Sequence, residues 1–241
     1  AGPWTRYATG AVGERVAGQT EVRPCRHTRQ DLRVSQIRRH PERALTDREN
    51  LYALLDAGWV GTLAVATEAA PQVVPLLYAR VGDAIVLHGS TGAGTLRAAS
   101  MSEVTFCVTL LDAFVYAASL FNASANYRSA VVTGPVEQVS GPPAQDALLA
   151  MAEHVMPGRA AEVRALTAKE LAATTVLRLP IRDGSWTAKA RSGPPGSDPD
   201  DDPTVWTGVL PLRTGFHAPT ATRAAGIPLP ASIRRRLDGQ A

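Results

Sequence analysis

Apolar and polar positions change period several times along this chain, and each change marks an element. Leu51, Leu54 and Leu55 recur at helical spacing behind Thr46-Asp47-Arg48-Glu49, a capping-box pattern, and Gly58 stops the run. Val60 to Thr67 then alternates like a half-buried strand. Two apolar runs, Val73 to Ala79 and Ala84 to Leu87, flank Gly82-Asp83 and predict a hairpin. Its second strand delivers His88, Gly89 and Ser90 to a loop, and a helical turn opens at Thr95-Leu96-Arg97. Glu103 to Leu111 and Ala113 to Ala117 read as two strands with Asp112 at the bend between them. Arg128 to Val139 is long and β-branched, with Gly134-Pro135 marking a bulge or an edge.

A helix starts at Pro142-Pro143, runs through Leu148, Leu149 and Met151 to His154, and ends before Pro157-Gly158. A second capping box, Thr167-Ala168-Lys169-Glu170, opens a short helix. Thr175 to Ile181 and Ser185 to Arg191 return to strand. Six or seven short strands with interspersed helices predict a mainly β, α+β domain centred on a barrel. Residues 1–30 lack periodicity and read as a flexible basic arm, 31–191 as the barrel domain, and 192–241 as a C-terminal loop and docking arm. Gly193 to Gly196 and Asp198 to Pro203 suit no regular element, whereas Val205 to Leu212 is apolar again and carries Trp206. That segment and Ile227 to Pro230 predict docking on a second copy of the chain, a homodimer.

Composition narrows the class. Of 241 residues, 45% are hydrophobic and 20% charged, as expected of a folded globular protein. Lys and Arg number 25 against 22 Asp and Glu, so nucleic acid is not an expected partner. The basic residues from Arg23 to Arg43 and at Arg234 to Arg236 read as solvated tails. The longest apolar run, Leu110 to Phe121, contains Asp112 and is too short to span a bilayer, so no membrane association and a cytoplasmic location are expected. Cys25 and Cys107 suggest neither a disulfide framework nor a zinc site; Cys107 reads as a small core residue and both thiols as free.

The candidate chemistry lies around the hairpin. His88, Gly89 and Ser90 followed by Gly92 and Gly94 at a helix start suit either an anion site built from backbone N–H groups or an ordinary strand-to-helix loop. Lys189 and Arg191, two apart on a strand, share one face and can reach one anion. His154 reads as a surface or packing residue of its helix. No nucleophile–base pair stands out, which suits a protein whose cofactor carries the chemistry and equally a non-catalytic binder.

Val-Val-Pro-Leu-Leu-Tyr (73–78), Leu-His-Gly-Ser (87–90), Asn-Tyr-Arg-Ser (126–129), His-Val-Met-Pro-Gly-Arg (154–159), Lys-Ala-Arg-Ser-Gly-Pro-Pro (189–195) and Val-Trp-Thr-Gly-Val-Leu-Pro-Leu (205–212) occur in this order. The ordered set resembles the pyridoxamine 5′-phosphate oxidase-like, FMN-binding split-barrel proteins, in the branch related to nitroimidazole reductases, over about residues 31–230. The resemblance implies a dimeric split β-barrel with FMN in grooves at the subunit interface. It also implies an FMN-dependent oxidoreductase that passes hydride or electrons to a small organic substrate.

By the same resemblance, the strand with Val74, Pro75 and Leu76 walls the flavin ring. His88, Gly89, Ser90, Thr95 and Leu96 cup the phosphate, and Tyr127, Arg128, Ser129, Lys189, Arg191 and Trp206 complete the site. Arg128, Lys189 and Arg191 can supply the phosphate's counter-charge, and Pro75, lacking an N–H, suits a strand beside a ligand. Two departures stand out. The loop after His-Gly-Ser reads Gly92-Ala93-Gly94-Thr95, without the Arg or Lys that many relatives carry, and Ala118 and Asn122 stand where relatives often carry Arg and His. Some split-barrel relatives use haem, which makes His88 the candidate axial ligand in a haem-dependent alternative; no other metal ligand is expected.

Overall fold

The computed structural model describes residues 37–68, 70–222 and 226–239. The expected N-terminal arm over 1–30 and Cys25 lie outside the described residues. The chain forms β1 (Ala44–Leu45), α1 (Arg48–Ala57), β2 (Val60–Val65), β3 (Gln72–Val81), β4 (Ala84–Ser90), α2 (Gly94–Ala99), β5 (Glu103–Tyr116), β6 (Ser124–Pro135) and β7 (Glu137–Val139). There follow α3 (Pro142–Val155), α4 (Ala168–Ala172), β8 (Thr174–Pro180), β9 (Trp186–Arg191), β10 (Gly208–Pro211) and α5 (Ala231–Asp238). The strands join into one ten-stranded antiparallel sheet in the order β1-β9-β6-β5-β2-β3-β4-β8-β7, with β10 on β5. The mainly β, split-barrel architecture is the expected one.

Local chemistry explains most boundaries. α1 is capped by Asp47, whose side chain accepts the Glu49 N–H at 3.1 Å, one residue later than the Thr46 box implies. Aspartate is as good a cap as threonine, and here it takes the position. The Thr167 box forms as read: its hydroxyl accepts from the Glu170 N–H at 3.2 Å, and a Glu170 carboxylate oxygen accepts from the Thr167 N–H at 2.9 Å. Gly82 turns the β3–β4 hairpin with φ 57°, a left-handed geometry that glycine adopts at no steric cost. One core cluster is built on Leu51, Leu54, Leu55, Leu63, Tyr78, Leu87, Phe106 and Leu177; a smaller one packs α3 on Ala79, Val86 and Val176.

Four expectations are corrected. Residues 103–116 form one strand, not two: Asp112 is an extra residue in a β-bulge between the pairs Leu111–Tyr127 and Ala113–Asn126. The 128–139 run breaks at Pro135 into β6, paired with β5 and β9, and β7, paired with β8. Val205 to Leu212 docks on its own protomer, because β10 takes the length of β5 that β2 leaves unpaired. Arg234 to Arg236 belong to α5 and bond to neighbouring carbonyls rather than forming a solvated tail.

Candidate cofactor site

Strand alternation decides which site candidates can meet. On β3, Val74 and Leu76 turn inward against the core, while Val73, Pro75 and Leu77 form the outer face. The register carries that face across the sheet. Pro75 lies opposite Thr62, Thr62 opposite Cys107, Cys107 opposite Val131, and Val131 opposite Thr187. A parallel row joins Thr109, Ser129 and Lys189, and the next joins Leu111, Tyr127 and Arg191. The bulge at Asp112 shifts the alternation by one, so Phe114 and Tyr116 continue the outer face while Ala113 and Val115 are buried. Leu210 on β10 joins it opposite Phe114.

Among the described residues no element packs over this face, and most of its residues are small and only half-buried. Cys107 is therefore a half-exposed member of it rather than a core residue. Aromatic and aliphatic groups rise at one end: Phe114, Tyr116 and Leu210 are exposed, Trp206 is 68% exposed and meets Tyr116 edge-on at 6.0 Å, and Leu120 and Phe121 are almost fully exposed. The expectation that a tryptophan is buried fails for Trp206 within one protomer. Its ring instead lies over Gly208, where an added Cβ would come within 2.7 Å of it.

The three candidate cations divide between two faces. Arg128 pairs with Ala190 and so lies on the side opposite Lys189 and Arg191, which pair with Ser129 and Tyr127. Its guanidinium makes a two-point contact with Asp112, Nε to Oδ2 at 3.0 Å and Nη2 to Oδ1 at 2.7 Å, and that carboxylate raises its pKa further. Asp112 thus serves as the bulge residue and the partner of Arg128. Lys189 donates to the Arg39 carbonyl at 3.0 Å, and Arg191 to the Asn126 side chain and the Pro194 carbonyl. Among the described residues, neither has a carboxylate partner, so each charge is held by neutral groups alone.

The 88–96 loop is largely self-satisfied. The Thr91 N–H donates to the Ala173 carbonyl at 3.1 Å, Gly92 to Ser90 Oγ at 3.2 Å, and Ala93 to the Ser90 carbonyl at 2.9 Å. Leu96 is a core residue, 2% exposed, and its Cδ1 lies close over Gly89, 2.5 Å from where an added Cβ would stand. Thr95 is half-buried in the first turn of α2, where N–H groups have no intrahelical acceptor.

His88 stands apart from this loop. It lies opposite Val176 and lines a cavity of about 350 Å³ with Leu77, Leu148, Leu149, Met151, Met156, Val163, Arg164 and Leu166 among its walls. Its Nδ1 is buried and has no hydrogen-bond partner among the described residues, and burial pushes its pKa below the ordinary histidine value. The imidazole at neutral pH is thus uncharged, in apolar surroundings, with an unmet polar valence. Arg164 is the cation of the cavity; it is engaged by Glu170, Nη1 to Oε2 at 2.8 Å. The other helix histidine, His154, contacts the Gly58 carbonyl through Nε2 at 2.7 Å and is a packing residue, as expected.

Leu77 belongs to both places. It ends the open part of the outer face on β3 and lines the His88 cavity. Sequence reading missed this cavity and its walls. The available signals were Leu148 and Leu149 side by side on α3, too wide an apolar stripe for one core face, and the apolar Met156, Val163 and Leu166 in an otherwise polar connection.

A family model described as pyridoxamine 5′-phosphate oxidase matches residues 47–187. No curated protein matches the sequence. Among solved structures, the FAD and heme binding protein from Mycobacterium smegmatis is 40% identical, with 80% of this chain and 97% of that one covered and a TM-score of 0.78. The flavocytochrome Anf3 from Azotobacter vinelandii is 29% identical over 83% of this chain and 94% of its own, with a TM-score of 0.76. A protein assigned to 5-nitroimidazole antibiotic resistance from Bacteroides thetaiotaomicron, 16% identical over 61% of this chain and 86% of its own, shares the fold with a TM-score of 0.52. With its fold, its ordered motifs and a model match over more than half its length, the chain belongs to the pyridoxamine 5′-phosphate oxidase-like family of split-barrel proteins.

Proposed function

We propose that this protein is a flavin-dependent oxidoreductase that also carries a haem. The flavin lies on the open sheet face at a homodimer interface, and the haem lies in the His88 cavity. The observation that carries this reading is the continuity of the two places through Leu77, with a buried, unpartnered imidazole nitrogen on the cavity side. Two relatives that cover most of this chain are described as binding both FAD and haem, or as a flavocytochrome, which supports the pairing.

The residues present fit both groups. A flavin needs a flat surface without bulky side chains and a counter-charge for its phosphate. Pro75, Thr62, Cys107 and Val131 offer the surface, and Lys189 and Arg191 the charge. A haem needs apolar walls, a neutral nitrogen ligand and a cation for its carboxylates. The leucine and methionine walls, His88 and Arg164 are of these kinds. When bound, the flavin supplies hydride and single-electron chemistry and the haem single-electron chemistry.

The protein's own contribution is to hold, orient and shield. His88 stays neutral because its surroundings are apolar, so no proton competes for its ligating lone pair at neutral pH. Leu77 gives the boundary between the two places an apolar side chain. Phe114, Tyr116, Trp206, Leu210, Leu120 and Phe121 form an apolar surface suited to a second copy of the chain, whose docking would enclose the sheet face. The substrate class this reading implies is a small organic molecule, to which a bound flavin would supply hydride or electrons.

The absorbance spectrum of the purified protein tests this reading. A two-cofactor protein shows flavin bands near roughly 370 and 450 nm together with a strong Soret band. Flavin bands alone, with no Soret band after addition of haemin, would reduce the reading to a flavoprotein. Turnover of a reduced nicotinamide with an acceptor separates an enzyme from a binder.

A further inference from the structure

The outer wall of the His88 cavity is an irregular segment. Residues 156–166 contribute Met156, Val163, Arg164 and Leu166 to the lining, yet their only regular element is the short 3-10 turn Arg159–Glu162. Glu153, which accepts the Gly158 N–H at 2.7 Å, and Glu170, which engages Arg164, hold two points of this segment, and α5 holds the stretch between them. The Ser232 N–H and hydroxyl both donate to the Glu162 carboxylate, at 2.9 and 2.6 Å. Those bonds, with Arg159 at 3.2 Å, hold the Glu162 carboxyl below the usual carboxylate range. Arg235 donates to the Pro157 carbonyl at 3.3 Å and packs on Gly158, where an added Cβ would meet Nη2 at 1.7 Å. Arg236 donates to the last carbonyls of α3, Val155 at 2.6 Å and His154 at 3.3 Å, and lies over the Trp59 and Phe216 rings at 5.2 and 5.5 Å.

The helix adds almost nothing to the core. Its one buried residue is Ser232, the residue that holds Glu162. Ordering a helix costs conformational entropy, and here the hydrogen bonds of Ser232, Arg235 and Arg236 go to the 156–166 segment and to the end of α3 that leads into it.

We propose that α5 is a clamp on the cavity wall, with Glu162 and Ser232 as positioning residues that set how tightly the His88 cavity retains its occupant. The identity of that occupant rests on the haem reading above; the clamp itself rests on the contacts. Glu162 and Ser232 touch no ligand and act only by fixing Val163, Arg164 and Leu166.

The test uses the full chain with Glu162→Ala, Ser232→Ala and the hydroxyl-retaining Ser232→Thr. Two quantities are read: amide hydrogen exchange across 156–166, and the rate at which haemin leaves to excess apomyoglobin. The clamp predicts faster exchange in 156–166 in both alanine variants with β4 unchanged. It also predicts haemin loss accelerated about tenfold, as expected for removal of one charge-assisted hydrogen-bonded joint, with Ser232→Thr close to wild type. Unchanged exchange in 156–166, or a rise spread equally over β4 and the core strands, would overturn the clamp. If the wild-type chain binds no haemin, the haem reading falls, while the exchange measurement still decides the clamp.

Discussion

A single buried nitrogen sets the most specific expectation at the scale of residues. His88 Nδ1 lies unpartnered in apolar surroundings, an arrangement that costs on the order of 1–3 kcal/mol. Leucine at this position removes the cost, so His88→Leu should unfold at equal or higher denaturant than wild type while losing its haemin-induced Soret band. The pH dependence follows from the lowered pKa. The unfolded chain takes up a proton at this residue as pH falls through about 6.5, whereas the folded chain resists until lower pH. Stability from the neutral form is therefore complete above that pH and is lost as pH falls below it. Without cofactor, wild type should lose more stability between pH 7.5 and 5 than His88→Leu does, as read from urea midpoints. Equal losses would place the imidazole in contact with water. The cations give a second contrast. Lys189→Ala or Arg191→Ala should weaken flavin binding about tenfold or more, since a hydrogen bond to a charged group contributes roughly 1.5–3 kcal/mol. Arg128→Ala should change it far less, because that guanidinium is engaged by Asp112 on the other face; its half-exposed pair should cost at most about 1 kcal/mol of stability. Isothermal titration with flavin on the three variants separates them.

Elements carry the site by fixing alternation, and here the sequence was legible in part. The β3–β4 hairpin, α3 and the Thr167 capping box could be read because glycine, proline and capping residues act locally. The bulge at Asp112 could not, since an aspartate between apolar runs suits a bend as well as an extra residue; only the partners on β6 decide. That one residue determines whether Phe114 and Tyr116 point outward, and hence the extent of the open face. The pairing of β10 with β5 was likewise hidden, because strand partners distant in sequence leave no local signal. Among site candidates, Pro75, Tyr127, Ser129, Lys189 and Arg191 share the outer face, whereas Val74, Leu76 and Leu96 face the core, a distinction that depends on registers one residue apart. Close packing behind the face gives a direct check. A Cβ at Gly61 would lie 2.2 Å from the Phe106 ring and 3.0 Å from the Cys107 carbonyl oxygen. Gly61→Val should destabilise the fold by roughly 1–3 kcal/mol, seen as a lower urea midpoint, through overpacking of β2 against β5. A midpoint equal to wild type would mean that the strands part more easily than their packing implies.

For the whole molecule, the chain's own α3 and 156–166 segment enclose the His88 cavity, and the proposal assigns the open face to a second copy. No helix among the described residues is long and apolar enough to cross a membrane, and none of the proposed roles requires one. If the aromatic end of the face is the self-association surface, Phe114→Asp with Trp206→Asp should convert a dimer to a monomer in sedimentation velocity and weaken flavin binding with it; a wild-type monomer at micromolar concentration would remove the interface from the account. Separate, neighbouring places for flavin and haem on one chain can be distinguished by titrating the cofactor-free protein with haemin in the presence and absence of saturating flavin, followed in the Soret band, for wild type and His88→Leu. Two places give one haemin per chain with either flavin state, and loss of that haemin in His88→Leu with flavin binding retained. Competition between haemin and flavin for a single site, or an unchanged Soret band in His88→Leu, would contradict that arrangement.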